Sequence, residues 1–247
     1  MGTFSSPYAI FVTTDGGIFL NYYVNMNVNR QVDKWTLGTN IATTVMYTRL
    51  NCFGVFVDIS NTLYCSMANG DEIVKKWLND NSTTLTTVAG TGSSGSGSNK
   101  LHEPHGIFVD TNFDLYVADS KNNRIQLFRL GETNGRTIAG IGSSSSTYIL
   151  DYPTAVILDA DKYLFIADSG TIRIIRSDQN GFRCIVGCSP PSNSGSNRLD
   201  YPWYFSFDSY GNIFAVDSQN SGVNKFLLTT NSCSKYKTNS FKIFTCE

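Results

Sequence analysis

Short apolar runs broken by polar turns, with no run at helical spacing, describe residues 101–140. Residues 107–109 (Ile-Phe-Val) lie between Gly106 and Asp110, the pattern of a strand covered on both faces. A polar turn at 110–114 leads into 115–118 (Leu-Tyr-Val-Ala), whose aromatic and β-branched residues suit a pleated sheet. Ser and Asn at 120–123 predict the next turn, because their short side chains bond nearby backbone. Residues 124–128 alternate polar and apolar, so one face points to a core. Residues 136–139 predict a fourth strand ending at Gly140.

The same pattern recurs along the chain. Anchored on Pro104, the equivalent positions are Pro7, Cys52, Pro153 and Pro202, at intervals of 45, 52, 49 and 49 residues. An aspartate six residues past the anchor returns as Asp58, Asp110, Asp159 and Asp208, with Thr13 in the first copy. Further on come Ala118-Asp119-Ser120, Ala167-Asp168-Ser169 and Val216-Asp217-Ser218, whereas Tyr22 and Met67 replace that second aspartate in copies one and two. Self-similarity at this period marks a repeat architecture. Four short antiparallel strands per copy predict an all-β fold, a β-propeller whose radial repetition leaves few free sheet edges.

The units resemble NHL repeats. The resemblance rests on Pro104, Asp110, Tyr116, Ala118, Asp119, Asn123, Arg124 and Ile125; it is specific in copies three to five and weak in the first two. It implies a propeller of four-stranded antiparallel blades, usually six in the family, where five repeats are visible here. The expected domain is one NHL-type propeller over residues 1–247, with repeats at about 4–48, 49–100, 101–149, 150–198 and 199–247, either closing with five blades or forming a piece of a longer chain.

Composition agrees, at 41% hydrophobic and 13% aromatic. Lys+Arg 19 against Asp+Glu 20 gives a formal net charge of -1, which makes nucleic acid a poor partner, although some NHL propellers bind RNA on a basic face. Arg173, Arg176 and Arg183, the nearest thing to a basic cluster, are read as a solvated face. The Gly/Ser stretches at 90–98, 140–146 and 189–196 are read as solvated connections between units.

No apolar stretch approaches the roughly 20 residues of a membrane span. Residues 1–15 lack a basic start and a long apolar run, so they do not read as a signal peptide, and a complete chain would be cytosolic. The six cysteines pull towards an extracellular reading, as does the sequon Asn81-Ser82-Thr83 in a predicted turn. The compartment stays open, with the extracellular reading ahead of the cytoplasmic. Cys184 and Cys188 span about 13 Å when extended, beyond the ~7 Å limit for a bridge, so they pair only if the chain bends at Gly187. Cys65 sits where copy three has Val117 and is read as a buried small hydrophobe.

Catalytic propellers of similar build set the requirement for an enzyme. Peptidyl-hydroxyglycine amidating lyases resemble NHL propellers and hold a catalytic zinc with histidines from three blades, one in a Pro-His pair. His105 after Pro104 matches that position, but the only other histidine is His102 in the same loop. A catalytic zinc needs about three protein ligands, so no catalytic residue, metal site or cofactor is expected. Asp119, Asp168 and Asp217 are expected to cap the turns that follow them rather than hold calcium.

The expected function is therefore a non-catalytic binding or scaffolding module for a protein, peptide or glycan. A metal-dependent lyase or hydrolase is the alternative, and an RNA-binding propeller the second. In the family's geometry the residue after each anchor opens on one mouth of the central channel. Those residues, Tyr8, Phe53, His105, Thr154 and Trp203, are the expected ligand-binding set.

Overall fold

The computed structural model describes residues 5–23, 30–36, 38–39, 41–144, 148–188, 199–227, 233–234 and 245–246. Four four-stranded sheets and a fifth of three strands form five propeller blades, each antiparallel and wound in chain order. Blade one is β1 to β4 (Ser5–Val12, Gly17–Tyr23, Arg30–Thr36, Ala42–Thr48) and blade two is β5 to β8 (Gly54–Val57, Thr62–Met67, Glu72–Trp77, Thr86–Gly90). Blade three is β9 to β12 (Pro104–Val109, Leu115–Asp119, Arg124–Phe128, Arg136–Gly140). Blade four is β13 to β16 (Pro153–Leu158, Leu164–Asp168, Arg173–Asp178, Gly181–Val186). Blade five is β17 to β19 (Pro202–Phe207, Ile213–Asp217, Gly222–Phe226). Helical structure among the described residues is limited to three single turns of 3-10 type, and no helix is long and apolar enough to cross a membrane.

The inner strands of blades three to five start at the anchor proline, which in blade three is three residues before the apolar run 107–109. Proline fits there because the first residue of a strand need not donate to the ladder. The turn after each inner strand is built by the repeated aspartate. Asp110 Oδ1 accepts the backbone N–H groups of Asn112 at 2.8 Å and Asp114 at 3.0 Å. Asp58, Asp159 and Asp208 accept the equivalent pairs.

Apolar burial lies between blades. Ile107, Val109, Leu115 and Val117 of blade three pack with Tyr64 and Ile73 of blade two. Tyr116, Ala118, Ile125 and Leu127, on the other face, pack with Val156, Leu158 and Ile166 of blade four. Blades one and two, and four and five, share equivalent clusters. Each unit therefore depends on its neighbours for a core, as expected of stacked repeats.

One expectation about the cysteines needs correction. Cys65 is bonded to Cys52, with Cα atoms 5.2 Å apart, so it is a disulfide partner and not an isolated hydrophobe. The hairpin of β5 and β6 brings the two together across 13 residues of sequence. Cys184 and Cys188 also pair, and the bend that this requires is at Gly187, whose φ is +74°.

The first Gly/Ser stretch is not merely a solvated connection. Arg124 donates to the carbonyls of Ser96, Gly97 and Lys100 at 2.8 to 3.1 Å, and Asn122 donates to that of Gly95. Glycine-rich backbone can crowd around one guanidinium, whose five N–H groups bind several acceptors at once. The second stretch is described only in part, and the third lies outside the described residues.

Candidate functional site

Three side chains of each Ala-Asp-Ser segment fix the mouth end of a blade. Ala118 and Ala167 are fully buried, small enough for the next blade to approach. Asp119, also fully buried, accepts the His102 N–H at 2.7 Å through Oδ1. Its Oδ2 accepts from Asn122 at 2.9 Å and from Arg124 Nε at 2.7 Å. Asp168 repeats this with the Asp151 N–H, Thr171 and Arg173. Asp217 does so with the Asp200 N–H, Asn220 and Asn224. These carboxylates thus cap the following turn and also clamp the loop that enters the blade. Burial pushes the Asp119 and Asp168 carboxyls up from their ordinary value, against the pull of those hydrogen bonds. The serine reaches across instead: Ser120 donates to the Pro153 carbonyl at 2.6 Å, and Ser169 donates to that of Pro202.

Above this frame the residues after the anchors come together. Tyr8 meets Phe53 edge-on at 5.2 Å between ring centroids, Phe53 meets His105 at 5.1 Å, and His105 meets Trp203 at 5.0 Å with perpendicular planes. Four blades therefore contribute to one continuous ring cluster. Thr154 is placed differently. It is 2% exposed, and its hydroxyl donates to the Pro202 carbonyl at 3.0 Å, so it lies beneath the mouth rather than on it.

Two further aromatics complete the surface. Tyr152 lies 5.5 Å from His105 and 6.4 Å from Tyr201, which stacks on Trp203 at 6.1 Å and 25°. Glu103, Tyr152 and Tyr201 each precede an anchor proline with φ of 49°, 50° and 60°, in the left-handed region. Such strain persists only where surroundings over-determine it. The previous blade supplies the restraint: the Glu103 N–H donates to Asp71 Oδ1 at 2.9 Å, and the Tyr152 N–H donates to Asn123 Oδ1 at 2.8 Å.

His105 is the hub of the cluster and is almost fully buried. Its Nδ1 is 2.9 Å from both the Glu103 carbonyl and Ser120 Oγ. A carbonyl cannot donate, so Nδ1 carries the proton, and in the neutral ring Nε2 is left as an acceptor. Burial lowers the His105 pKa, only partly opposed by the Glu103 carbonyl and carboxylate, which favours the neutral form. At the rim, burial raises the Glu103 pKa, but hydrogen bonds from Lys121 and Tyr152 outweigh it and hold the carboxylate ionised below its ordinary range. Burial, followed by the Glu103 charge, pushes the Tyr152 phenol up. The cluster thus combines ring edges and faces, a buried neutral imidazole and one anion tied to Lys121.

The family model of the NHL repeat matches residues 101–128, which are β9 to β11 and the loop before them. The matched residues form most of the third blade, so that blade is an NHL repeat within a five-bladed propeller. Comparison with curated proteins finds no match.

Solved structures share the propeller fold at low identity. A nidogen/laminin complex chain superposes with TM-score 0.61 at 18% identity, covering 90% of this chain and 80% of that one. A Bacteroides thetaiotaomicron structural-genomics protein of unknown function gives TM-score 0.68 at 14% identity, with 90% and 58% covered. Streptogramin B lyase gives 0.58 at 15%, with 93% and 71% covered. These likenesses establish the fold alone.

The arginines expected to form a solvated face are engaged. Arg173 pairs with Asp168 at 2.8 Å, and Arg183 with Asp178 at 3.7 Å. Arg176 is 5% exposed, pairs with Asp159 and covers the rings of Tyr163 and Phe165. Its register opposite Phe165 turns it into the blade, where Leu127 sits in blade three. Among the described residues no three His, Cys, Asp or Glu side chains converge as a metal-binding group.

Proposed function

We propose that this NHL propeller is a binding module whose protein, peptide or glycan ligand docks on the aromatic mouth. The observation that carries this reading is the ring cluster of Tyr8, Phe53, His105 and Trp203, drawn from four blades and extended by Tyr152 and Tyr201. Half-buried tyrosine and tryptophan offer a large contact area at low entropic cost, and their polar tips give direction. In this reading Thr154 supports the mouth from below, and the buried His105 ring holds Phe53, Tyr152 and Trp203 in place for the ligand.

A zinc-dependent lyase of the amidating type is not supported, because the chain's two histidines, His102 and His105, belong to one loop of one blade. RNA binding is not supported either, because the arginines of blade four are committed to Asp168, Asp159 and Asp178.

Screening the purified chain against immobilised peptides and glycans, with Trp fluorescence as the solution readout, tests the proposal. Trp203→Ala and Tyr8→Ala, singly and together, should abolish binding of each hit and leave the thermal midpoint almost unchanged. Loss of stability with binding retained would return these residues to the core and move the site to the Gly/Ser loops.

A further inference from the structure

The loop joining β7 to β8 lies far from the mouth. β5 starts at the mouth, beside Phe53, and runs to the turn at 58–61 on the opposite face. β7 ends at that same face, where the Leu78 N–H donates to the Asn61 carbonyl and Trp77 Nε1 to that of Ser60. β8 is the outermost strand of its blade. Residues 79–85 therefore sit on the outer rim of the face opposite the candidate ligand surface.

This loop carries the sequon Asn81-Ser82-Thr83, and all three residues are exposed. Its local bonds use other groups: the Ser82 N–H donates to Asp80 Oδ1 at 3.0 Å, and the Thr84 N–H to Ser82 Oγ at 3.1 Å. Beside it lies a depression of about 280 Å³ lined by Thr44, Val45, Tyr47, Lys76 and Leu78 together with the sequon. Tyr47, in that lining, is 57% exposed.

A second, independent observation concerns redox. Cys52 and Cys65, both fully buried, are joined, and so are Cys184 and Cys188. Structural disulfides persist in oxidising compartments and are rare where glutathione keeps thiols reduced. Oxidation of this core and modification of an accessible Asn-x-Thr triplet take the same route through the cell.

We infer that Asn81 is an N-glycosylation site and that the protein matures in the secretory pathway. The first sugars would lie over the depression and cover Tyr47, leaving the mouth open. The bond formed joins Asn81 Nδ2 to the first sugar. The oligosaccharide comes from an activated lipid-linked donor: its anomeric C1–O bond to the phosphate breaks, the lipid leaves with the phosphate, the Asn81 amide gives up one proton, and Thr83 completes the acceptor sequence.

The test fuses the chain to a secretory leader in animal cells and maps its peptides by mass spectrometry. The secreted protein should show one glycan at Asn81, removed by an N-glycan amidase with a single step in gel mobility, and a Cys52–Cys65 linked peptide. Asn81→Gln and Thr83→Ala should each abolish the step, whereas Thr83→Ser should keep it. Secreted, folded protein with an unmodified Asn81 would overturn the inference. So would retention of the wild-type chain in the cell with its thiols free.

Discussion

Blades two and three close the same corner with different chemistry. In blade three Asp119 ties the entering loop at His102 to the end of β10, with Arg124 as its counter-ion. In blade two Met67 replaces that aspartate, and the Cys52–Cys65 disulfide joins the entering loop to β6. The exchange has a secondary cost, because cysteine in the anchor position carries the N–H that proline lacks. Cys52 is fully buried, so that donor needs a partner, and Asn21 of blade one accepts it at 3.1 Å. Glu72, at the position of Arg124, pairs with Arg49 instead. The repeat conserves a mechanical task, while the residues that perform it change in concert.

Removing the ionic clamp should have the largest effect. Asp119→Ala leaves Arg124, 7% exposed, without its counter-ion, and breaking one side of a buried pair costs about 3 to 5 kcal/mol. Chemical denaturation measures it, and a loss under about 1 kcal/mol would assign Arg124 to the loop carbonyls alone. The covalent clamp should come next. Replacing Cys52 and Cys65 together by Ala should cost about 3 kcal/mol, the loop-closure value for a bridge across some 15 residues. An unchanged midpoint would show that Asn21 and the apolar packing suffice in blade two.

Packing beyond the clamps separates the middle of the ring from its last blade. Leu127→Ala in blade three should cost about 2 to 5 kcal/mol as a large-to-small core change. Val223→Ala in blade five, at a 62% exposed position equivalent to fully buried Ile125, should stay within about 0.5 kcal/mol. The smallest effect concerns pH. Because burial depresses the His105 pKa below 6.5, the unfolded chain binds the proton first as pH falls. Stability contributed by neutral His105 is therefore present above pH 6.5 and lost as pH drops through the folded-state value. The difference in thermal midpoint between wild type and His105→Gln should narrow over that window, and a constant difference would break the assignment.

The period, the four-strand unit and the buried positions of blade three were legible because they depend on spacing and polarity, which a sequence displays directly. The aspartate turns were legible for the same reason. The disulfide in blade two was not, since Cys65 falls in the phase of Val117 and both residue types suit a core. Arg124 was recognised as part of a motif, but its grip on residues 95–100 runs through backbone carbonyls, which leave no mark in side-chain identity. At the mouth, the residues after the anchors stood out, whereas Tyr152 and Tyr201 before them did not. Their orientation depends on left-handed backbone imposed by the neighbouring blade, a relation between units and not within one.

The exposed flanks of the ring have a kinetic consequence. Ile10 and Val12 of blade one are 55% and 56% exposed where Ile107 and Val109 are buried, and Val223 is exposed at the other flank. Since each blade is stabilised chiefly by its neighbours, opening among the described residues starts where the apolar positions are least covered. Fraying should thus proceed inwards from both flanks, with blade three the last to lose its ladder. The residues matched by the NHL model lie in the middle blade of the five, so the most readable part of the sequence is also the part with two blades on either side.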